Sequence, residues 1–201
     1  GTAITTGDGN TFVGYEAGKT VATASENTAF GYQALKLNAA GDGNTAIGVK
    51  AMDANVTGDR NVAVGSDALG TMNPDSNADM YNTAVGYNSG AAVTTGIINT
   101  LIGGLTGTAL TDGDSNVALG YSSLRTNTSA NANVAIGNNA LYTLNIASDT
   151  SSYNTAVGHS AGLFITTGVQ NVLVGGLAGD ALTDADSNVA VGYAALTRDT
   201  L

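Results

Sequence analysis

The sequence predicts an all-β fold, a parallel β-solenoid of about eleven 17-residue coils that runs through residues 1–201 as a single repeat array. Three observations carry this. A motif of the form Asn-[Thr/Val]-[Ala/Phe/Leu]-[Val/Ile/Leu/Phe]-Gly occurs eleven times. Its copies keep a constant spacing, as from Asn10 to Asn27 to Asn44, and two intervals, Asn61 to Asn82 and Asn133 to Asn154, are longer by the same amount. β-Branched residues fill the motif at a density that favours strand over helix. Repetition at such a period means stacked units, none of which buries its apolar face alone.

The motif asparagines are Asn10, Asn27, Asn44, Asn61, Asn82, Asn99, Asn116, Asn133, Asn154, Asn171 and Asn188. The motif glycines are Gly14, Gly31, Gly48, Gly65, Gly86, Gly103, Gly120, Gly137, Gly158, Gly175 and Gly192. A unit of this length is too short for two ordinary helices with their turns, but it suits two short strands and two bends. Coils paired in parallel about 4.8 Å apart make a stack on the order of 50 Å long. Each Gly is then expected at a bend. The Asn side chains are expected to stack as a structural ladder, which explains every copy better than a row of ligand sites does.

Residues two and four of the motif share one face of a strand and residue three takes the other. The fourth residue is always large and apolar, from Val13 and Phe30 to Val191, so this reading places residues two and four in the core. Residue three, Ala in eight copies, is then expected to face outward. Further along each unit, Leu35, Met52, Leu69, Leu124, Leu141 and Leu196 are expected to close one side of the core. Gly18, Gly90, Gly107, Gly162 and Gly179 leave that place open, with Leu101 and Leu173 as the fillers.

The units combine into a larger period of four coils: NTAVGYNSGAAVTTG at 82–96 matches NTAVGHSAGLFITTG at 154–168. The two longer intervals predict excursions near 70–81, where Pro74 lies, and near 142–153.

Composition excludes several function classes. The net charge is −10, and Lys19, Lys36, Lys50, Arg60, Arg125 and Arg198 are scattered singly, so no basic patch could hold nucleic acid. No apolar run reaches the roughly 18–20 residues of a membrane span, so no membrane insertion is expected. The absence of Cys removes disulfides and thiolate metal sites and agrees with an exported surface protein. Nothing resembles a phosphate loop, a nucleophile elbow or a metal-binding His pair, so the reading is not an enzyme and needs no cofactor.

Individual residues with other readings fit the same background. His159, the only His, takes a place held elsewhere by Tyr15, Tyr32, Tyr87, Tyr121 and Tyr193, and reads as an aromatic substitute rather than a base. Asp112 and Asp114, and Asp184 and Asp186, form D-x-D turns that hint at calcium, but the loop lacks enough ligands and Asp is an ordinary turn residue. Asn55 and Asn127 open the two glycosylation sequons. An ice-binding face would need aligned Thr, which Val62, Val117, Val134, Val172 and Val189 interrupt.

The stretches SNVAVGYAAL, SNVALGYSSL, NTAVGHSAG and NTAFGYQAL resemble the repeats of YadA-like adhesin heads, of bacterial surface-fibre proteins and of phage tail-fibre proteins. The resemblance covers all eleven units, although the family's unit is shorter than the one here. It implies a left-handed parallel β-roll, a side-by-side homotrimer and exposure on a cell surface or virion.

The expectation for function is a structural or adhesive extracellular fibre segment whose main partner is itself, with a host-surface or glycan receptor as a further partner. The alternative is a carbohydrate-binding or carbohydrate-active solenoid, served by the tyrosines but not by clustered carboxylates. The chain opens at Gly1-Thr2-Ala3 and stops inside a unit, so the stack is expected to continue in a longer fibre or to propagate end to end.

Overall fold

The computed structural model describes residues 4–197; residues 1–3 and 198–201, Arg198 among them, lie outside the described residues. Each motif forms one three-residue strand. In chain order the strands are β1 (Thr11–Val13), β2 (Thr28–Phe30), β3 (Thr45–Ile47), β4 (Gly58–Asp59), β5 (Val62–Val64), β6 (Ala78–Asp79), β7 (Thr83–Val85), β8 (Thr100–Ile102), β9 (Val117–Leu119), β10 (Val134–Ile136), β11 (Thr155–Val157), β12 (Val172–Val174) and β13 (Val189–Val191). The described residues contain no helix.

Eleven of these strands stack in sequence order into one parallel sheet, the solenoid of about eleven coils. Every motif residue lies beside its counterpart, as Ala29 does beside Ala46. The register holds across both longer units, where Val62 pairs with Thr83 and Val134 with Thr155.

The expected second strand of each coil is absent from most of the stack. A second sheet consists of β4 and β6 alone, with one isolated bridge between Asn131 and Ser151. The cause is a recurrent backbone pattern. Each coil places positive φ at the same four positions: the motif Gly, the second and fourth residues after it, and the residue just before the Asn. Extended backbone cannot persist through such alternation, so the remainder of each coil is a chain of turns. These turns still bond to the next coil; the Leu35 N–H, for instance, donates to the Ala51 carbonyl at 2.9 Å.

The two faces of the sheet are the reverse of the sequence expectation. Residue three points inward: Ala29, Ala46, Ala63, Ala84, Leu101, Ala118, Ala135, Ala156 and Leu173 are fully buried. Residues two and four point outward, and Phe30 leaves 56% of its surface exposed. Alternation assigns residues to two faces but does not say which face is enclosed. Each coil is narrow, so the interior beside most strands holds only a methyl group, and a larger third residue such as Leu101 or Leu173 fits only where a facing glycine leaves space.

Packing across this interior is compensated coil by coil. Leu35, Met52, Leu69, Leu124 and Leu141 are fully buried opposite small residues of the strands, and Leu196 in the last coil is half-buried. Where a motif carries a large third residue, glycine makes room. A Cβ added at Gly107 would meet Leu101 Cδ2 at 3.0 Å, at Gly162 Leu173 Cδ1 at 2.9 Å, and at Gly18 the Phe12 ring at 2.7 Å. In the Gly-containing coils the residue three places on is apolar, as in Val21, Val93, Leu110, Ile165 and Leu182. In the coils with Leu35, Met52 and Leu124 it is Asn38, Asn55 or Asn127.

The longer units stay in line further than expected. The Val56 N–H donates to Asn73 Oδ1, its usual partner position in the next coil, and Gly58 then pairs with Ala78. The additional residues therefore enter between 73 and 78, and 75–77 are exposed. In the second case Thr128 bonds Asn145 and Asn131 bridges Ser151, so the excursion lies between them.

Candidate functional site

The outward side of the sheet is the most distinctive surface of the molecule. One column consists of the second motif residues, six Thr and five Val; its neighbour consists of the fourth residues, Val13 to Val191. Neither column contains a charge or an amide. Eleven strands give a height of about 50 Å, and the four-residue run from the Thr/Val column to the tyrosine column gives a width of about 13 Å. The resulting strip covers roughly 650 Å² and is uncharged, with an unbroken apolar column of fourth residues beside a mixed Thr and Val column.

The tyrosines edge this strip. Tyr15 and Tyr32 stack with ring centres 5.4 Å apart. Tyr121 lies over Gly104 and Tyr193 over Gly176, each close enough that a Cβ on the glycine would touch the ring. His159 occupies the same column and is exposed.

Beneath the strip, the motif asparagines bind coil to coil. The main-chain N–H of Asn27 donates to Asn10 Oδ1 at 3.0 Å, and the same bond recurs at every one of the ten steps to Asn188. It crosses both longer units, from Asn82 to Asn61 at 3.0 Å and from Asn154 to Asn133 at 3.2 Å. At several steps the side-chain amide also donates to the preceding Asn, as Asn99 Nδ2 does to Asn82 Oδ1 at 3.2 Å. The side chains from Asn27 to Asn171 are buried, so these bonds satisfy groups that water cannot reach.

The motif glycines have φ between 130 and 143. At ten of the eleven, an added Cβ would collide with the next coil's glycine carbonyl. This column must be glycine for two independent reasons, conformation and contact.

Asn55 and Asn127 are not available for glycosylation in the folded chain. Both are fully buried. Asn55 Nδ2 donates to the Gly58 carbonyl and its Oδ1 accepts the Gly58 N–H, both at 2.9 Å. Asn127 makes the same pair of bonds with Ala130. A glycan at either position would have to break this closed ring inside the core.

The acidic turns form a ladder of their own. Asp42 Oδ1 accepts the Ser25 N–H and Asp59 Oδ1 the Asp42 N–H, each at 2.7 Å. Asp114 accepts from Ile97 and Asp186 from Val169. Burial pushes the Asp59 and Asp114 carboxyls above their ordinary range. Asp112 is held lower, chiefly by a hydrogen bond from Ser129, and Asp184 accepts from the Thr183 hydroxyl. The four calcium candidates, Asp112, Asp114, Asp184 and Asp186, act as turn acceptors. Among the described residues no three His, Cys, Asp or Glu side chains gather as a metal site.

Sequence reasoning missed the acceptor role of the Asp column and the buried Asn38, Asn55 and Asn127. A signal for the latter exists: Asn stands three residues after Leu or Met in those coils and is replaced by an aliphatic residue after Gly. No helix among the described residues is long and apolar enough to cross a membrane. Compared with protein-family models, with curated proteins and with solved structures, the chain matches none.

Proposed function

We propose that this chain is a structural element of a self-associating extracellular fibre, displayed on a cell surface or virion, with further copies of itself as its main partner. The supporting observation is the exposed, uncharged sheet face. Water-facing branched side chains along eleven coils are costly to leave bare. Two such faces brought together would bury roughly 1,300 Å² in total, within the range of specific interfaces. Three copies side by side about a common axis would cover the face on every copy, which is the arrangement that the adhesin-like repeats imply. Adhesion to a receptor would then fall to the exposed excursions.

Light scattering on the purified chain over a wide concentration range tests this, with electron microscopy to see elongated particles. The expected result is a discrete multimer that becomes a monomer when Val64, Val85 and Ile102 are all replaced by Lys. A chain that stays monomeric at every concentration would sink the proposal.

The exposed tyrosines favour one alternative, a carbohydrate-binding solenoid, because aromatic faces stack on sugars. A glycan array separates the readings: binding by the monomeric triple-Lys variant would place sugar recognition outside the self-association face.

A further inference from the structure

Ile98 departs from a pattern that the other coils keep. It holds the left-handed position just before the motif Asn, at φ 59. Many non-glycine residues of this chain have positive φ, but Ile98 is the only β-branched one among those described. A β-branched side chain is among the least suited to this backbone. Ile98 also leaves 52% of its surface exposed, so burial within its own chain does little to offset the strain. A local rule broken without compensation inside the chain points to a use outside it.

The same coil carries a second apolar residue at an edge. Leu105, two residues after Gly103, has φ 58 and is half-buried where other coils place Gln33, Asn88 or Asn139. Leu177 repeats it one four-coil period later, but there the residue before the motif is Gln170, so only the coil of β8 is apolar at both edges. Ile98 precedes β8 and Leu105 follows it, so the two stand on opposite edges of the outward face.

Copies related by rotation about an axis along the solenoid remain parallel and at one height. In that arrangement the edge before the strand in one copy meets the edge after the strand in the next. Antiparallel copies would bring like edges together instead. Ile98 therefore meets Leu105 only in the parallel, unshifted arrangement. The coil of β5 has edges of opposite charge, with Arg60, ion-paired to Asp79 of its own chain, on its leading edge and Asp67 on its trailing edge. A slip of one coil would set Arg60 against Lys50 and Glu26 against Glu16; a slip the other way would set Ile98 against Ser122.

Resting on the self-association read above, we infer that neighbouring copies lie parallel and in register, with Ile98 of one copy packed on Leu105 of the next. The coil of β8 is then the lock that sets the axial register of an otherwise repetitive and slip-prone face.

The chain has no Cys, so introduced pairs report cleanly. Three double variants are compared under mild oxidation: Ile98→Cys with Leu105→Cys, with Asn88→Cys, and with Ser122→Cys. Mass is measured first. The expected result is a multimer in which only the 98–105 pair yields covalent multimers. A multimer that cross-links through the 88 or 122 pair, or through none, overturns the register while leaving self-association intact. A chain that never associates overturns both. Ile98→Asn supplies a second readout. It should leave the melting temperature of the dilute monomer unchanged or raised, and weaken association roughly tenfold. A lowered monomer melting temperature with unchanged association would overturn the lock.

Discussion

Leu101 fills the space that Gly90 leaves in the coil before it: a methyl group added at Gly90 would stand 2.8 Å from Leu101 Cδ1 and 3.0 Å from Leu69 Cδ2. Leu173 and Gly162 repeat the relationship one four-coil period later, at 2.9 Å. The interior thus has a constant volume that neighbouring coils share. Gly90→Ala should overpack it and cost about 1–3 kcal/mol. Leu101→Ala should leave a cavity and cost about 2–5 kcal/mol. Combined, each change relieves the other, so the double variant should be more stable than the sum of the two by at least about 0.5 kcal/mol. Denaturant unfolding of the four proteins checks this; strict additivity would refute the shared-volume account.

Ala63 and Val64 are adjacent in β5 and face opposite ways. Ala63→Asp places an unpaired carboxylate in a fully buried site and should cost several kcal/mol, on the order of 3–5. Val64→Asp places it on the half-buried outer face, where the monomer should retain its fold and association should fail. Melting temperature and mass, measured on both variants, separate the two effects. Equal thermal loss at both positions would mean that the faces have been assigned wrongly.

Asp59 accepts the Asp42 N–H, yet burial chiefly, with the Asp42 charge beside it, raises its pKa. A raised carboxyl contributes stability below its unfolded pKa and loses it as pH rises through the folded value, so at neutral pH the charge is a cost. An amide serves the same bond elsewhere: Asn131 Oδ1 accepts the Asp114 N–H at 2.7 Å. Asp59→Asn should therefore raise the melting temperature at pH 7 and narrow the difference between pH 7 and pH 4. A lower melting temperature at pH 7 would contradict this.

Glu16 behaves in the opposite sense. Its carboxylate accepts from Lys19 at 2.6 Å and Gln33 at 2.9 Å, with Lys36 at 3.3 Å, and its pKa falls from 4.5 to about 2. A depressed carboxyl stabilises above the unfolded value and loses that contribution as pH falls through the folded one, here between about pH 4.5 and 2. Lys19 is exposed and Glu16 half-buried at the surface, so salt should weaken the network. Glu16→Gln should melt lower than the parent at pH 7 and low salt, with the gap closing toward pH 2. A gap independent of pH would show that packing, not charge, is what Glu16 supplies.

Much of this architecture was legible because repetition makes each residue's role visible eleven times. The Asn at each motif start and the Gly at each motif end could be read as a ladder and a bend, since a residue retained at every coil must do something every coil needs. The sequons at Asn55 and Asn127 were uninformative, because a three-residue pattern says nothing about burial, and the ring bond to Gly58 or Ala130 exists only once the coil has closed. The left-handed positions were hidden by their occupants: Lys50, Leu69 and Tyr81 are not residues that announce positive φ. The expected second strand failed for the same reason.

Spacing alone determined the number of coils, their parallel stacking and the grouping of Thr28 with Phe30 on one face and Ala29 on the other. Period two is symmetric under exchange of those faces, so no count of residues could say which one was inside. That was decided when the chain closed on itself: so short a coil encloses a cross-section with room for the Ala29 methyl and one Leu35 side chain, and the larger Phe30 was left facing out.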